Sequence, residues 1–186
     1  MIAEIKTARL LLRRWRPEDR EPFAEMSADP AVMEHYLSVR SRAESNARVD
    51  EIEAEFARTG FGKWAVEIPG KAPFAGCVGL SAVSFQADFT PCVEVGWRLA
   101  RQFWGHGYAT EAALAAMEDG FERVGLHEIV SFTVPANVRS IRVMEKIGMT
   151  FSGEFDHPLL PEAHPLRRHV LYRCRSSMSL KNSGHA

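Results

Sequence analysis

The sequence predicts one α/β domain built on a mixed sheet, and three observations carry that prediction. Short β-branched and aromatic runs come first, a strand-helix-strand-helix-strand alternation follows, and the last two runs read as a hairpin. A length of 186 residues suits a single domain with a substantial core. No internal repeat, low-complexity block or linker divides the chain.

Each element follows from its residues. Residues 9–15 form a short strand. Pro17 opens a helix, because proline suits a first turn and Glu18 and Asp19 complement the helix dipole. Asp29-Pro30 breaks that helix, and a short helical piece over 32–36 follows. Ser41 and Glu44 make a capping box for a longer helix, which keeps Val49, Ile52 and Phe56 at helical spacing and stops near Gly60. Residues 63–68 and 74–85 pair around the turn Pro69-Gly70-Lys71, and 92–99 forms the next strand. An alanine-rich helix keeps Ala109, Ala112, Ala113, Ala116 and Met117 on one face, with Phe121 and Val124 beside them, and closes at Gly125. Residues 128–134 form a strand, and the turn 135–140 feeds a helix over 141–147 that ends at Gly148. Strands at 149–154 and 167–175 flank a proline-rich link over 156–165. Residues 176–186 are polar and patternless, the composition of a disordered tail.

The stretch 93–116 is the centre of the chain. Gly105 and Gly107 let a ligand approach the backbone, and the first turn of the helix beyond them leaves amides without intrahelical partners. Unpaired amides at the positive end of a helix dipole suit a phosphate group. Thr110 stands where a Rossmann fingerprint needs glycine, and no Walker Gly-Lys-Ser/Thr exists. The pattern present is Q/R-x-x-G-x-G/A, as Gln102, Gly105 and Gly107. It resembles the coenzyme A pyrophosphate loop of the GNAT acetyltransferase superfamily.

Further segments carry the same resemblance. Residues 137–149 read N-x-x-S-x-R-V-x-E-K-x-G followed by Met149, close to a segment of the Rim-type branch, which contains ribosomal-protein N-acetyltransferases. The opening Thr7-Ala-Arg-Leu-Leu-Leu-Arg13, Asp29-Pro30 and Glu94-Val-Gly-Trp97 are similar to that branch too, so the likeness spans residues 7–175. It implies one GNAT-like domain over 1–175, with a mostly antiparallel sheet splayed at its central strands and helices on both faces. It implies direct transfer of an acetyl group from acetyl-CoA to a primary amine of a small molecule or a protein N-terminus, without metal. Amides of Gln102, Gly105, His106, Gly107, Tyr108, Ala109 and Thr110 would hold the pyrophosphate. The backbone of Trp97, Arg98 and Leu99 would pair with the pantetheine arm. Asn137 and Ser140 would lie near the thioester, while Arg142 and Lys146 either meet cofactor phosphate or stay solvated.

The chemistry needs two proton movements. The amine must react neutral, although an α-amine titrates near ~8 and a lysine near ~10.4. The departing thiolate gains from a hydrogen-bond donor. Where many relatives carry a tyrosine for that purpose this chain has Met144, which leaves Ser140, either as that donor or as a helix cap. Glu94 on the central strand is a candidate base, or a solvated or arginine-paired surface carboxylate. Asp156-His157 is the rival, or a plain turn, and His157 titrates in a useful range. A water relay without any protein base is a third route.

Other features bound the function. A net charge of −1 gives no argument for nucleic acid or a membrane surface. Cys77, Cys92 and Cys174 are odd in number and widely spaced, so they point to a reducing, cytoplasmic setting, and strand positions should bury Cys77 and Cys92. Glu4, Lys6 and Arg9 interrupt the N-terminus, so neither a signal peptide nor a membrane span is expected. His157, His164 and His169 are too dispersed for a metal site. Trp64, Trp97 and Trp104 read as core or cleft-wall aromatics. A non-catalytic acyl-CoA-binding module and a longer acyl donor are the competing functions; monomer and homodimer are both open.

Overall fold

The computed structural model describes residues 4–176. Of the expected tail, Ser176 donates its N–H to the His127 carbonyl at 2.9 Å, and the rest lies outside the described residues. The strands are β1 (Ile5–Lys6), β2 (Leu11–Arg13), β3 (Lys63–Ile68), β4 (Ala72–Ala82), β5 (Val93–Leu99), β6 (Glu128–Thr133), β7 (Thr150–Asp156) and β8 (Arg168–Arg175). The helices are α1 (Arg20–Ala28), α2 (Arg42–Thr59), α3 (Tyr108–Glu122) and α4 (Val138–Lys146). The sheet has 8 strands in the order β1-β2-β3-β4-β5-β6-β8-β7.

Every neighbouring pair is antiparallel except β5 and β6. β5 pairs with β4 along its whole length, from Val93 opposite Ala82 to Leu99 opposite Gly76. Its parallel pairing with β6 holds at one register point, Glu94 beside Val130. Beyond Glu94 the two strands part, and the sheet is open there.

Side-chain alternation gives the sheet two unlike faces. Ala65, Cys77 and Arg98 are register partners on one face, where Ala65 and Cys77 pack with Phe23 and Met26 of α1 and Val49 of α2. Val78, Leu80, Val95 and Leu99 point the other way, into a core shared with Ala112, Ala113, Ala116 and Met117 of α3 and Met144 of α4. The small residues on α3 let it lie close against the strands.

Several elements differ from the sequence reading. Residues 32–36 are consecutive turns and not a helix: Asp29 Oδ1 takes the Ala31 N–H and the Asp29 carbonyl takes those of Val32 and Met33. Pro17 opens a short 3-10 turn, and α1 proper starts at Arg20. Helix α4 starts at Val138, earlier than predicted, because Asn137 Oδ1 accepts the Ser140 N–H at 3.2 Å and caps it. Ser140 is therefore inside the first turn and is not the cap. Cys92 is half-buried just before β5, and burial, with Glu94 nearby, pushes its thiol up to about 11. The Ser41–Glu44 capping box forms as expected, and α2 stops at Gly60 with φ 78°.

One buried cation ties the first half of the chain together. Arg13 on β2 is 1% exposed and donates to both Asp19 oxygens at 2.7 and 2.8 Å. It also reaches Glu67 on β3 and the Pro73 carbonyl on β4, each at 2.7 Å. The hydrogen bond to Asp19 outweighs desolvation and raises the guanidinium's affinity for its proton. Removing one partner of a buried pair leaves an uncompensated charge. Arg13→Met is therefore expected to cost about 3–5 kcal/mol of stability, read by denaturant unfolding.

Candidate active site

The loop after β5 runs through a 3-10 turn at Arg101–Phe103 into α3, with Gly105 at φ 79° and Gly107, the N-cap, at φ 80°. Only glycine takes such φ values without strain. The first helical hydrogen bond runs from the Glu111 N–H to the Gly107 carbonyl. Backbone amides from Gly105 to Thr110 therefore donate to no acceptor among the described residues. They cluster at the positive end of α3, which fits a pyrophosphate in charge and in donors.

A clamp from the first strands fixes this loop. Arg9 donates to the His106 carbonyl at 2.9 Å and to Glu111 Oε2 at 2.6 Å, and its guanidinium lies 4.8 Å over the Tyr108 ring. Thr7 donates to Glu111 Oε1 at 2.6 Å. Burial pushes the Glu111 carboxyl up, but the bonds from Thr7 and Arg9 outweigh it and hold it below the usual range. The Glu111 charge near the helix start is thus neutralised by Arg9, which keeps the loop receptive to an anion.

A cleft of about 500 Å³ opens on the α2 side of the sheet. Glu94, Ser81, Phe85, Phe132, His157 and Leu159 line it, and α2 closes it with Arg48, Glu51, Glu55 and Arg58. Glu94 is 23% exposed and accepts from Lys63 Nζ at 3.3 Å and Ser81 Oγ at 3.1 Å. His157 lies 4.5 Å from the Phe85 ring and 5.2 Å from the His169 ring. Burial pushes both histidines down, more than Glu94 pulls them up, so both are neutral at neutral pH. Leu159 donates its N–H toward His157 Nδ1 at 3.4 Å, leaving Nε2 as the free ring nitrogen. Asp156 points elsewhere, bound to Arg168 at 3.2 Å and Arg167 at 3.6 Å.

The structure brings Glu94 and His157 into one cleft and leaves Asp156 outside it. Ser140 is half-buried, and its hydroxyl makes no hydrogen bond to the described residues. Met144 is fully buried. Asn137 has its Oδ1 on the Ser140 amide and its Nδ2 on Thr133 Oγ1 at 3.0 Å. The Ala100 N–H on the Ala75 carbonyl sets the β4–β5 register, so the backbone of Arg98 bonds to β4 while Trp97 and Leu99 face the open edge, where the Trp104 indole N–H takes the Leu99 carbonyl at 2.8 Å. Gln102 lies on a separate shallow groove with Lys71 and Phe103. Arg142 and Lys146 are exposed on α4 without an ion pair among the described residues.

Comparison with known proteins agrees with this geometry. The model of the acetyltransferase (GNAT) domain matches residues 9–150. N-acetyltransferase YnaD of Bacillus subtilis (strain 168) is 32% identical over 151 residues, covering 81% of this chain and 85% of its own. The chain belongs to the GNAT acetyltransferase family. It is accordingly an N-acetyltransferase, and its acetyl donor is acetyl-CoA. A solved GNAT acetyltransferase from Bacillus anthracis superposes with a TM-score of 0.76 at 27% identity, over 93% of this chain and 98% of that one. RimL, a ribosomal L7/L12 α-N-protein acetyltransferase solved with coenzyme A, shares the fold at a TM-score of 0.75 and 17% identity, over 93% of this chain and 98% of its own.

Sequence reasoning missed four residues around the glycine loop and Glu94. Arg9 and Thr7 stand in a motif recognised as a pattern, but their contact with Glu111, about a hundred residues away, has no local signal. Lys63 and Ser81 meet Glu94 only through the β3-β4-β5 register, which a sequence read strand by strand does not give. The two glycines yield a direct test. A side chain at Gly107 would be strained at φ 80° and would meet Arg9 Nη2 at 3.4 Å. Gly107→Val is expected to weaken coenzyme A binding by about tenfold or more in a folded protein, measured by titration calorimetry; a loss of this size corresponds to about 1.4 kcal/mol.

Proposed function

We propose that the chain acetylates a primary amine by direct transfer in a ternary complex, with the acceptor in the Glu94 cleft. The observation that carries this reading is the position of Glu94: a half-buried carboxylate at the last point where β5 and β6 still pair, beside the opening of the sheet. Acetyl-CoA supplies an activated acetyl thioester when bound. Amides of Gly105, His106, Gly107, Tyr108, Ala109 and Thr110 hold its pyrophosphate, and the open edge of β5 at Trp97 and Leu99, toward which the Arg98 backbone does not point, holds the pantetheine arm.

Glu94 takes a proton from the incoming ammonium group, so that the amine reacts neutral. Lys63 and Ser81 orient its Oε1 and leave Oε2 for the amine. His157 shares the cleft and, being neutral, is the alternative acceptor of that proton. Ser140 stabilises the leaving thiolate: its hydroxyl is uncommitted, and it lies in the first turn of α4, whose amides favour negative charge. The acceptor is a small-molecule amine or a protein N-terminus. Three free cysteines fit a reducing, cytoplasmic setting. Among the described residues no helix is long and apolar enough to cross a membrane.

A thiol-release assay with acetyl-CoA against a panel of amines and N-terminal peptides tests the reaction. Glu94→Gln is expected to lower turnover by about a hundred- to ten-thousand-fold, the range of a general base, and most strongly at acidic pH. An unchanged rate and pH profile would pass the role to His157. Ser140→Ala is expected to lower kcat while leaving Tm and coenzyme A affinity unchanged, since Asn137 and not Ser140 caps α4. Asn137→Ala should instead cost about 1 kcal/mol of stability.

A further inference from the structure

Arginines in this chain are nearly all paired once they leave full solvent exposure. Arg13, Arg14, Arg20, Arg48, Arg167 and Arg173 are wholly or partly buried, and each has a carboxylate within reach. Arg40 and Arg98 are the exceptions among the described residues: both are half-buried and neither meets a carboxylate. Arg98 Nη1 donates to Met33 Sδ at 3.1 Å, a weak acceptor, and the guanidinium lies 4.9 Å over Phe23 and 5.3 Å over Tyr36. The two rings and the thioether fix the side chain and leave most of its donors free.

Arg40 ends the connection between α1 and α2, where its N–H donates to the Ser27 carbonyl at 2.9 Å. Burial lowers its proton affinity, and the charges of Arg98 and Arg48 lower it further, so Arg40 faces two like charges. Glu51, the acid nearest in effect, is bound by Arg48 at 2.8 Å. Leaving like charges half-desolvated without a counterion is costly, and an anion relieves the cost. Two planar guanidinia grip a carboxylate well.

The place of this pair decides which molecule brings the anion. Arg98 shares its face of β5 with Glu94, and Arg48 lines the same cleft as Glu94. We propose that Arg40 and Arg98 form an anion subsite beside the acceptor cleft, on the same face of the sheet, so that the acceptor is an amine bearing a carboxylate. This rests on Glu94 marking the amine end. Arg98 is four strand positions beyond Glu94, roughly 13 Å between Cα atoms. The two groups of the acceptor are therefore several bonds apart, unlike those of a simple α-amino acid.

Titration calorimetry on the protein saturated with coenzyme A tests the subsite without requiring turnover. The probes are ω-aminocarboxylates from β-alanine to ε-aminocaproate and their primary amides. The longer acids are expected to bind about tenfold or more tighter than their amides, as the loss of a charged hydrogen bond implies. Arg40→Gln should abolish that preference while leaving coenzyme A affinity unchanged, and at Arg98 a lysine should keep part of the preference that a glutamine loses. A variant that has merely lost packing would weaken acid and amide alike, which would overturn the proposal. Equal binding of acid and amide to the parent would overturn it as well. Loss of coenzyme A affinity in the variants would assign the two arginines to the cofactor and overturn it too. A protein that shows the acid preference but releases no thiol with these amines would count against the acetyl-acceptor reading and leave the subsite intact.

Discussion

Two parallel strands that meet at one register point and then part leave a wedge in the sheet, and the rest of the molecule is arranged around it. Glu94 beside Val130 is the apex. On one side of the wedge β5 is held firmly by its full antiparallel pairing with β4, so the opening does not cost the sheet its integrity. The far side is held by β6 and the β8–β7 hairpin. Backbone groups facing an open wedge need partners, and an extended, amide-containing chain is the ligand that best satisfies them. The loop at Gly105 and Gly107 sits where β5 ends, so its unpaired amides and the strand edge form one continuous track.

Polar groups are used sparingly and with distinct purposes. Arg13 is locked by two carboxylates and a carbonyl, an arrangement that fixes β2 and the β3–β4 hairpin against the turn before α1. Arg9 is equally well bonded but at the surface, where it holds the glycine loop while Glu111 cancels its charge. Arg98 is held by two rings and a thioether, and neither it nor Arg40 meets a carboxylate among the described residues. A near-zero net charge conceals these local differences, which is why composition gave no hint of the acceptor.

Local chemistry was legible in the sequence, and long-range register was not. The Ser41–Glu44 box, the Gly60 stop and the glycine pair all depend on residues within one turn of each other, and each forms as read. The capping of α4 failed for a reason of the same scale: Asn137 and Ser140 are both competent caps three residues apart, and the side chain that bonds back decides between them. The turns after Asp29 competed with a helix because that carboxylate takes nearby amides. The two-residue strand β1 is too short to carry a periodic signal. Of the site, the glycine turn that opens α3 was readable. The Arg9 clamp and the surroundings of Glu94 depend on which strands become neighbours.

Hydrogen exchange of backbone amides with and without coenzyme A measures the central relation most directly, because the wedge and loop are defined by amides lacking intramolecular acceptors. Slowed exchange concentrated from Gly105 to Thr110 and along the C-terminal half of β5, with α1 and β7 unchanged, is the expected result. Equal exchange of those amides in the free and bound protein, with protection appearing elsewhere, would contradict it.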